Sequence, residues 1–129
     1  MSNSNIPADL HYTKSHEWVR TLANGNVEVG ITDHAQAALG DLVFVDVPEA
    51  GKALGAGDSF AVVESVKAAS DLYLPVAGTI TAVNTALDSS PEKLNGAPYT
   101  DAWILKMKVA NPADADALLD ADAYGKLIG

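Results

Sequence analysis

The stretch Gly57-Asp-Ser-Phe-Ala-Val-Val-Glu-Ser-Val-Lys67-Ala-Ala-Ser-Asp-Leu-Tyr-Leu-Pro-Val-Ala-Gly78 decides how the rest of the chain is read. Lys67 stands ten residues after Gly57 and eleven before Gly78. Between each glycine and Lys67 runs an apolar segment, Phe60 to Val66 on one side and Leu72 to Val76 on the other, with the composition of strands. Two arms of similar length, each bounded by a turn residue, predict a hairpin with Lys67 near its tip. The residues beside the lysine are small or short, so nothing bulky covers its ammonium.

Outward from this hairpin the punctuation repeats. Upstream, Leu42 to Val47 reads as a strand ended by Pro48, and Gly51, Gly55 and Gly57 mark turns. A Gly-Ala-Gly run at Gly55 to Gly57 lacks the lysine-threonine pair and following helix of a phosphate loop, so it is read as a tight turn. Further back, Asn24-Gly25 signals a turn between the run from His16 and the alternation Val27, Val29, Ile31. Thr32 is placed to cap a short alanine-rich helix that stops at Gly40. Downstream, Thr79 to Val83 and Ala102 to Val109 alternate as strands, and Asp88 to Pro98 reads as a surface loop. Asn111, Pro112 and Asp114 open a C-terminal helix that Leu118, Leu119, Tyr124, Leu127 and Ile128 extend. Trp18 and Trp103, each in an alternating run, are read as core anchors. Many short strands with glycine turns predict a mainly β fold, a flattened barrel or sandwich of two antiparallel sheets with short flanking helices, one of them C-terminal. No linker divides the 129 residues, so a single domain is expected, with residues 1–10 loosely ordered.

Composition narrows the chemistry. Acids outnumber bases 17 to 8, a formal charge of −9, which argues against nucleic acid and anionic membrane and favours a partner with a basic face. Apolar residues at 48% and charged residues at 19% give an ordinary globular balance. There is no cysteine, hence no disulfide, thiolate nucleophile or cysteine-ligated metal, and redox chemistry would require a prosthetic group. Arg20 is the one arginine, which excludes a multi-arginine phosphate clamp. The start has neither a basic n-region nor an apolar run, and no segment is long enough to span a membrane. A protein of the bacterial cytoplasm is expected. His11, His16 and His34 show no ligand-pair spacing, and no metal is assigned.

Three readings of Lys67 stand side by side on the residues alone. It can be a solubilising lysine at a turn. It can be a Schiff-base nucleophile, which needs a lowered pKa; Glu64 and Asp71 nearby act in the opposite direction, and this reading is set aside. It can be an acceptor that another enzyme acylates, which needs an exposed amine on a protruding turn.

The segment Glu64-Ser-Val-Lys-Ala-Ala-Ser-Asp71 resembles the lipoyl-attachment segment of the glycine cleavage system H proteins. So do Ser15-His-Glu-Trp18, Gly30-Ile-Thr-Asp-His-Ala-Gln36, Leu39-Gly-Asp-Leu-Val-Phe-Val-Asp46, Pro75-Val-Ala-Gly78 with Val83-Asn84, and Asn95 to Tyr99 ahead of Trp103. The motifs run in order from about Leu10 to Tyr124, nearly the whole chain. The resemblance implies the lipoyl/biotinyl-like barrel-sandwich hybrid and a non-catalytic carrier whose Lys67 bears lipoate as an amide. It implies four partners: a pyridoxal-phosphate glycine decarboxylase, a tetrahydrofolate-dependent aminomethyltransferase, dihydrolipoamide dehydrogenase, and the enzyme that lipoylates the lysine. By motif position it places Ser15, Glu17 and Asp71 in a cleft that receives the loaded arm; His34, on the first helix, is expected to line that cleft or to close a helix end. Carboxylates there would hold the aminomethyl amine as a cation. Glu64, three residues before the lysine, is expected as a mark for the lipoylating enzyme.

Other readings stay in view. A relative that relays lipoate without acting in glycine cleavage would share the attachment segment, and the acidic pair Glu17 and Asp71 favours the cleavage carrier over it. A biotin carrier would place methionines beside the lysine, where Val66 and Ala68 stand. A hydrolase built on His16 and Glu17 has no readable nucleophile dyad.

Overall fold

The computed structural model describes residues 6–22, 25–47, 49–111 and 113–128. Its strands are β1 (His11–Tyr12), β2 (Glu17–Thr21), β3 (Asn26–Ile31), β4 (Leu42–Asp46), β5 (Ala53–Leu54), β6 (Ser59–Ser65), β7 (Ala69–Tyr73), β8 (Gly78–Val83) and β9 (Leu105–Val109). Short helices follow the chain as α1 (Asp33–Leu39), α2 (Ala86–Ser89), α3 (Lys93–Gly96), α4 (Ala113–Asp116) and α5 (Ala121–Ile128). The strands form two antiparallel sheets, one in the order β1-β2-β3-β9-β8-β5 and one in the order β4-β6-β7. The expected fold class is the observed one.

Alternation puts one face of each sheet inside. Val19, Val27, Val29, Ile31, Val63, Leu72, Ile80, Leu105 and Met107 are buried and share one core with Leu87, Leu94 and Ile104. Each fully buried aliphatic side chain contributes roughly 1.5–3 kcal/mol through removal from water. A second cluster gathers Leu10, Tyr12, Trp18, Tyr99 and Tyr124. Here Trp18 lies opposite Gly30 in the β2–β3 register. A Cβ at Gly30 would fall 2.6 Å from the indole ring, so the glycine is what lets the tryptophan lie across the strand. The indole N–H donates to Pro98 O at 2.8 Å.

Four local expectations are corrected. The start of the chain is not loose through residue 10: Leu10 is 1% exposed, and Tyr12 is fully buried and stacks on Tyr124 with ring centroids 4.7 Å apart. Residues 1–5 lie outside the described residues, as do Asn24, Pro48 and Pro112, on which turn, stop and helix-start readings fell. The last strand begins at Leu105 instead of Ala102, because the Asn84 side-chain amide takes the carbonyls of Asp101 and Trp103 at 2.9 and 2.8 Å. The stretch 88–98 is no plain loop: α2 runs into its start and α3 lies within it, and the two bury Leu87 and Leu94. The C-terminal helix is two helices, since Leu119 leaves the helical path to exchange backbone hydrogen bonds with Tyr12 at 2.7 and 2.9 Å. Asp120 then caps α5 by accepting from Ala123 N at 2.8 Å.

Candidate functional site

Lys67 sits at the tip of the β6–β7 hairpin, as the glycine spacing predicted. Ladder pairs Val62↔Asp71, Val63↔Ser70 and Glu64↔Ala69 lead up to it. The turn is closed by backbone and one hydroxyl: Ser65 N donates to Ala68 O at 2.8 Å, and Ser65 Oγ accepts from the amides of Lys67 and Ala68 at 3.2 and 3.1 Å. Val66 N donates to Asp41 O at 3.1 Å, tying the tip to the segment after α1. The Lys67 side chain is exposed, and its Nζ donates to Ala38 O at 3.4 Å, in the last turn of α1. Helix C-terminal carbonyls carry partial negative charge and suit an ammonium. After acylation the amide nitrogen retains one N–H, so this donor survives loss of the charge. The exposed, singly bonded amine therefore fits an acyl group.

The outer face of the small sheet continues from the tip. Phe44, Glu64 and Ala69 are in register across its three strands, as are Asp46, Val62 and Asp71. Phe44, Val43, Tyr73 and Val66 are exposed apolar residues on or beside this face, interleaved with Asp46, Glu64 and Asp71.

Glu17 is in a different environment. It begins β2 and is 1% exposed. Its Oε1 accepts from Thr13 Oγ1 at 2.7 Å and Ser15 Oγ at 2.5 Å, and its Oε2 accepts from Tyr73 N at 3.4 Å. Burial raises its pKa; the Ser15, Thr13 and Tyr73 hydrogen bonds oppose that rise. Ser15 is exposed, so its hydroxyl is the water-facing end of this pair. Asp71 is exposed on β7, two residues before the Tyr73 amide that touches Glu17. The structure thus joins Ser15 to Glu17 directly, while Asp71 shares only the strand whose Tyr73 amide reaches Glu17.

His34, in α1, meets a second ring: the His16 and His34 centroids are 4.7 Å apart. His16 has a positive φ of 74°, and its Nδ1 is 2.8 Å from the Tyr124 hydroxyl, which is also 2.8 Å from Thr32 Oγ1. Burial first and His34 second lower the His16 pKa below 6.5. Thr13 and Tyr124 were not singled out for the site by sequence reading. Thr13, Ser15 and Glu17 alternate along the chain, and two hydroxyls spaced by two before a buried acid is a usable signal. Tyr124 is 108 residues from His16 and left none.

The sequence profile of the glycine cleavage H-protein family matches residues 10–129. The chain belongs to that family. The chain is 60% identical over 126 residues to the glycine cleavage system H protein of Opitutus terrae, covering 98% of this chain and 99% of that protein. It is 58% identical over 125 residues to the protein of the same name from Chromohalobacter salexigens, covering 97% and 95%. A crystal structure of a glycine cleavage system H protein from Mycobacterium marinum superposes with a TM-score of 0.88 at 40% identity, over 96% of this chain and 99% of that one. Membership makes this a carrier subunit of the glycine cleavage system and not itself a catalyst; members of the family generally carry lipoate. Among the described residues no helix is long and apolar enough to cross a membrane.

Proposed function

We propose that this chain, as one lipoyl-carrier domain over residues 1–129, bears lipoate as an amide on Lys67. In this reading it serves a pyridoxal-phosphate glycine decarboxylase, a tetrahydrofolate-dependent aminomethyltransferase and dihydrolipoamide dehydrogenase in turn. The observation that carries the reading is an exposed lysine at the tip of a rigid hairpin, in a family of lipoyl carriers. When bound, a lipoyl group would supply a sulfur to accept a one-carbon amine and a disulfide/dithiol couple to take up and later release the electrons of the redox step. A chain without cysteine has no such sulfur of its own.

The chain's own residues present and shelter. Small side chains around Lys67 let the tip enter another protein's active site. Ser15 offers a hydroxyl to an incoming ammonium, and the buried Glu17 carboxylate behind it supplies the negative charge that keeps that amine protonated. Asp71 adds a second, exposed carboxylate, and His34 lines the same region. Glu64, pointing outward with Phe44 and Ala69, is the mark read by the lipoylating enzyme. The net charge of −9 and the acidic outer face suit basic docking surfaces. The bacterial relatives support a place in the bacterial cytoplasm.

Intact mass with peptide mapping of protein purified from its own cells tests this. A lipoyl increment on the Lys67 peptide is expected. An unmodified Lys67 in cells that lipoylate other proteins would overturn the assignment, and a biotinyl increment would replace it with a biotin carrier. With the lipoyl increment present, transfer to the decarboxylase and aminomethyltransferase separates the cleavage carrier from a lipoate relay.

A further inference from the structure

The motif Asn95 to Tyr99 has no role in the carrier reading above, yet Asn95 lies closer to the lysine tip in the bonding network than most of the proposed site. It sits in α3, anchored by the fully buried Leu94 beside it. Its side chain uses three hydrogen bonds. Nδ2 donates to Gly40 O at 2.9 Å and to Gln36 Oε1 at 3.0 Å, and Oδ1 accepts from Leu42 N at 2.9 Å. Gln36 in turn donates to Asp33 Oδ1 at 2.7 Å. One amide thus fastens the end of α1 and the start of β4 to α3.

Between those two fastened points lies Asp41, whose carbonyl accepts from Val66 N at 3.1 Å. The same α1 end supplies Ala38 O for Lys67 Nζ at 3.4 Å. Gly40 is at φ +85°, and a Cβ there would stand 3.2 Å from Lys67 Cε. The lysine stem therefore rests on a platform, the turn 38–42, that touches the tip twice and is itself held by Asn95. Nothing in the β6–β7 ladder performs this task, because the ladder ends at Glu64↔Ala69.

We propose that Asn95 is a positioning residue for Lys67: it fixes the turn 38–42 so that the acceptor amine is presented in one orientation to the enzyme that acylates it. This rests on Lys67 being the lipoylated residue. Acylation joins Nζ to an activated carboxyl, expels the activating group and releases the amine proton. None of these events needs Asn95 chemically; an unfastened platform lowers the fraction of time the amine is correctly aimed.

The test uses the full unmodified chain and two readouts. A lipoate–protein ligase with lipoic acid and ATP gives the rate of Lys67 modification by intact mass. Amide hydrogen exchange reports the Leu42 and Val66 N–H groups, with Val29 and Leu105 in the large sheet as internal controls. For Asn95→Ala, lipoylation is expected to slow about tenfold, the scale of one or two lost hydrogen bonds, and Leu42 and Val66 to exchange faster while the controls hold. Wild-type lipoylation rate in N95A, or slow lipoylation with Leu42 and Val66 as protected as before, would overturn the proposal. If N95A loses its cooperative fold, Asn95→Asp carries the same test. It keeps the acceptor for Leu42 N, so Leu42 should stay protected while Val66 exchanges faster and lipoylation falls to an intermediate rate; an unchanged rate overturns the proposal. A wild-type Lys67 that takes no lipoyl group removes the carrier reading instead, while the exchange readout still reports whether Asn95 holds the platform.

Discussion

Two turns of this molecule make opposite use of similar connections. The turn at residues 66–68 joins β6 to β7 and leaves Val66, Lys67 and Ala68 exposed. The turn at residues 13–16 joins β1 to β2 and leads straight into Glu17, which is 1% exposed. The first is closed by backbone groups and the Ser65 hydroxyl. The second needs Thr13, Ser15, a positive φ at His16 and the distant Tyr124 hydroxyl. The lysine tip is built from short side chains, closed locally by Ser65 and tied by backbone carbonyls to the segment after α1. A turn that holds a carboxyl group out of water needs partners for its polar atoms: Thr13 and Ser15 serve Glu17 locally, while Tyr73 N reaches Glu17 and the Tyr124 hydroxyl reaches His16 from far along the chain.

The largest effect should come from Lys67→Arg. It keeps charge and fold but removes the amine that can be acylated, so lipoylation and all carrier activity should vanish while the melting temperature stays within experimental error. Full glycine turnover by this variant would break the division of labour between the turns. Next comes Thr13→Val in the buried turn. It removes a donor to Glu17 Oε1 and the acceptor of Glu17 N, and should cost about 1–3 kcal/mol in denaturant unfolding. The matching change in the exposed turn, Ser65→Ala, frees two amides that water can reach, and should cost less, about 0.5–1 kcal/mol. If the two costs were reversed, burial would not be what distinguishes the turns. The smallest effect concerns pH. Burial and His34 hold His16 below its ordinary 6.5. Neutral His16 therefore contributes stability that is fully present above pH 6.5 and is lost as pH falls toward its lowered folded value. His16→Asn keeps a residue tolerant of positive φ and removes the titration. The fall in melting temperature between about pH 7.5 and about pH 5 should be shallower in the variant; equal slopes would place the acid sensitivity elsewhere.

The lysine hairpin was legible because its signals are local: Gly57, Gly78 and two apolar runs, all within 22 residues. The register of β6 against β7 follows from those runs with no help from the rest of the chain. The second core cluster was not legible. Leu10 and Tyr12 stand in a polar stretch, and their burial depends on Leu119 and Tyr124, more than 100 residues later, where no short-range pattern points back. Ala102 to Ile104 alternates as a strand does, but Asn84 takes the carbonyl of Trp103 and that of Asp101 just before the stretch, tertiary bonds overriding a local pattern. In the candidate site, Glu17 and Asp71 came from resemblance to a family. The residues that hold Glu17 in place came only from geometry.

The bond from His16 to the Tyr124 hydroxyl links a turn near the start of the chain to a helix that ends at Ile128. On a chain made from its N-terminus, the lysine hairpin and its ladder are complete once Tyr73 has emerged. The Glu17 turn must wait for the final helix. A protein truncated after Asp116 by nonsense mutation or proteolysis would keep the Lys67 hairpin and lose the tyrosine whose hydroxyl meets His16 beside Glu17. If Lys67 takes lipoate as proposed, such a fragment surviving in the cell would take up lipoate while its Glu17 turn stayed unbraced.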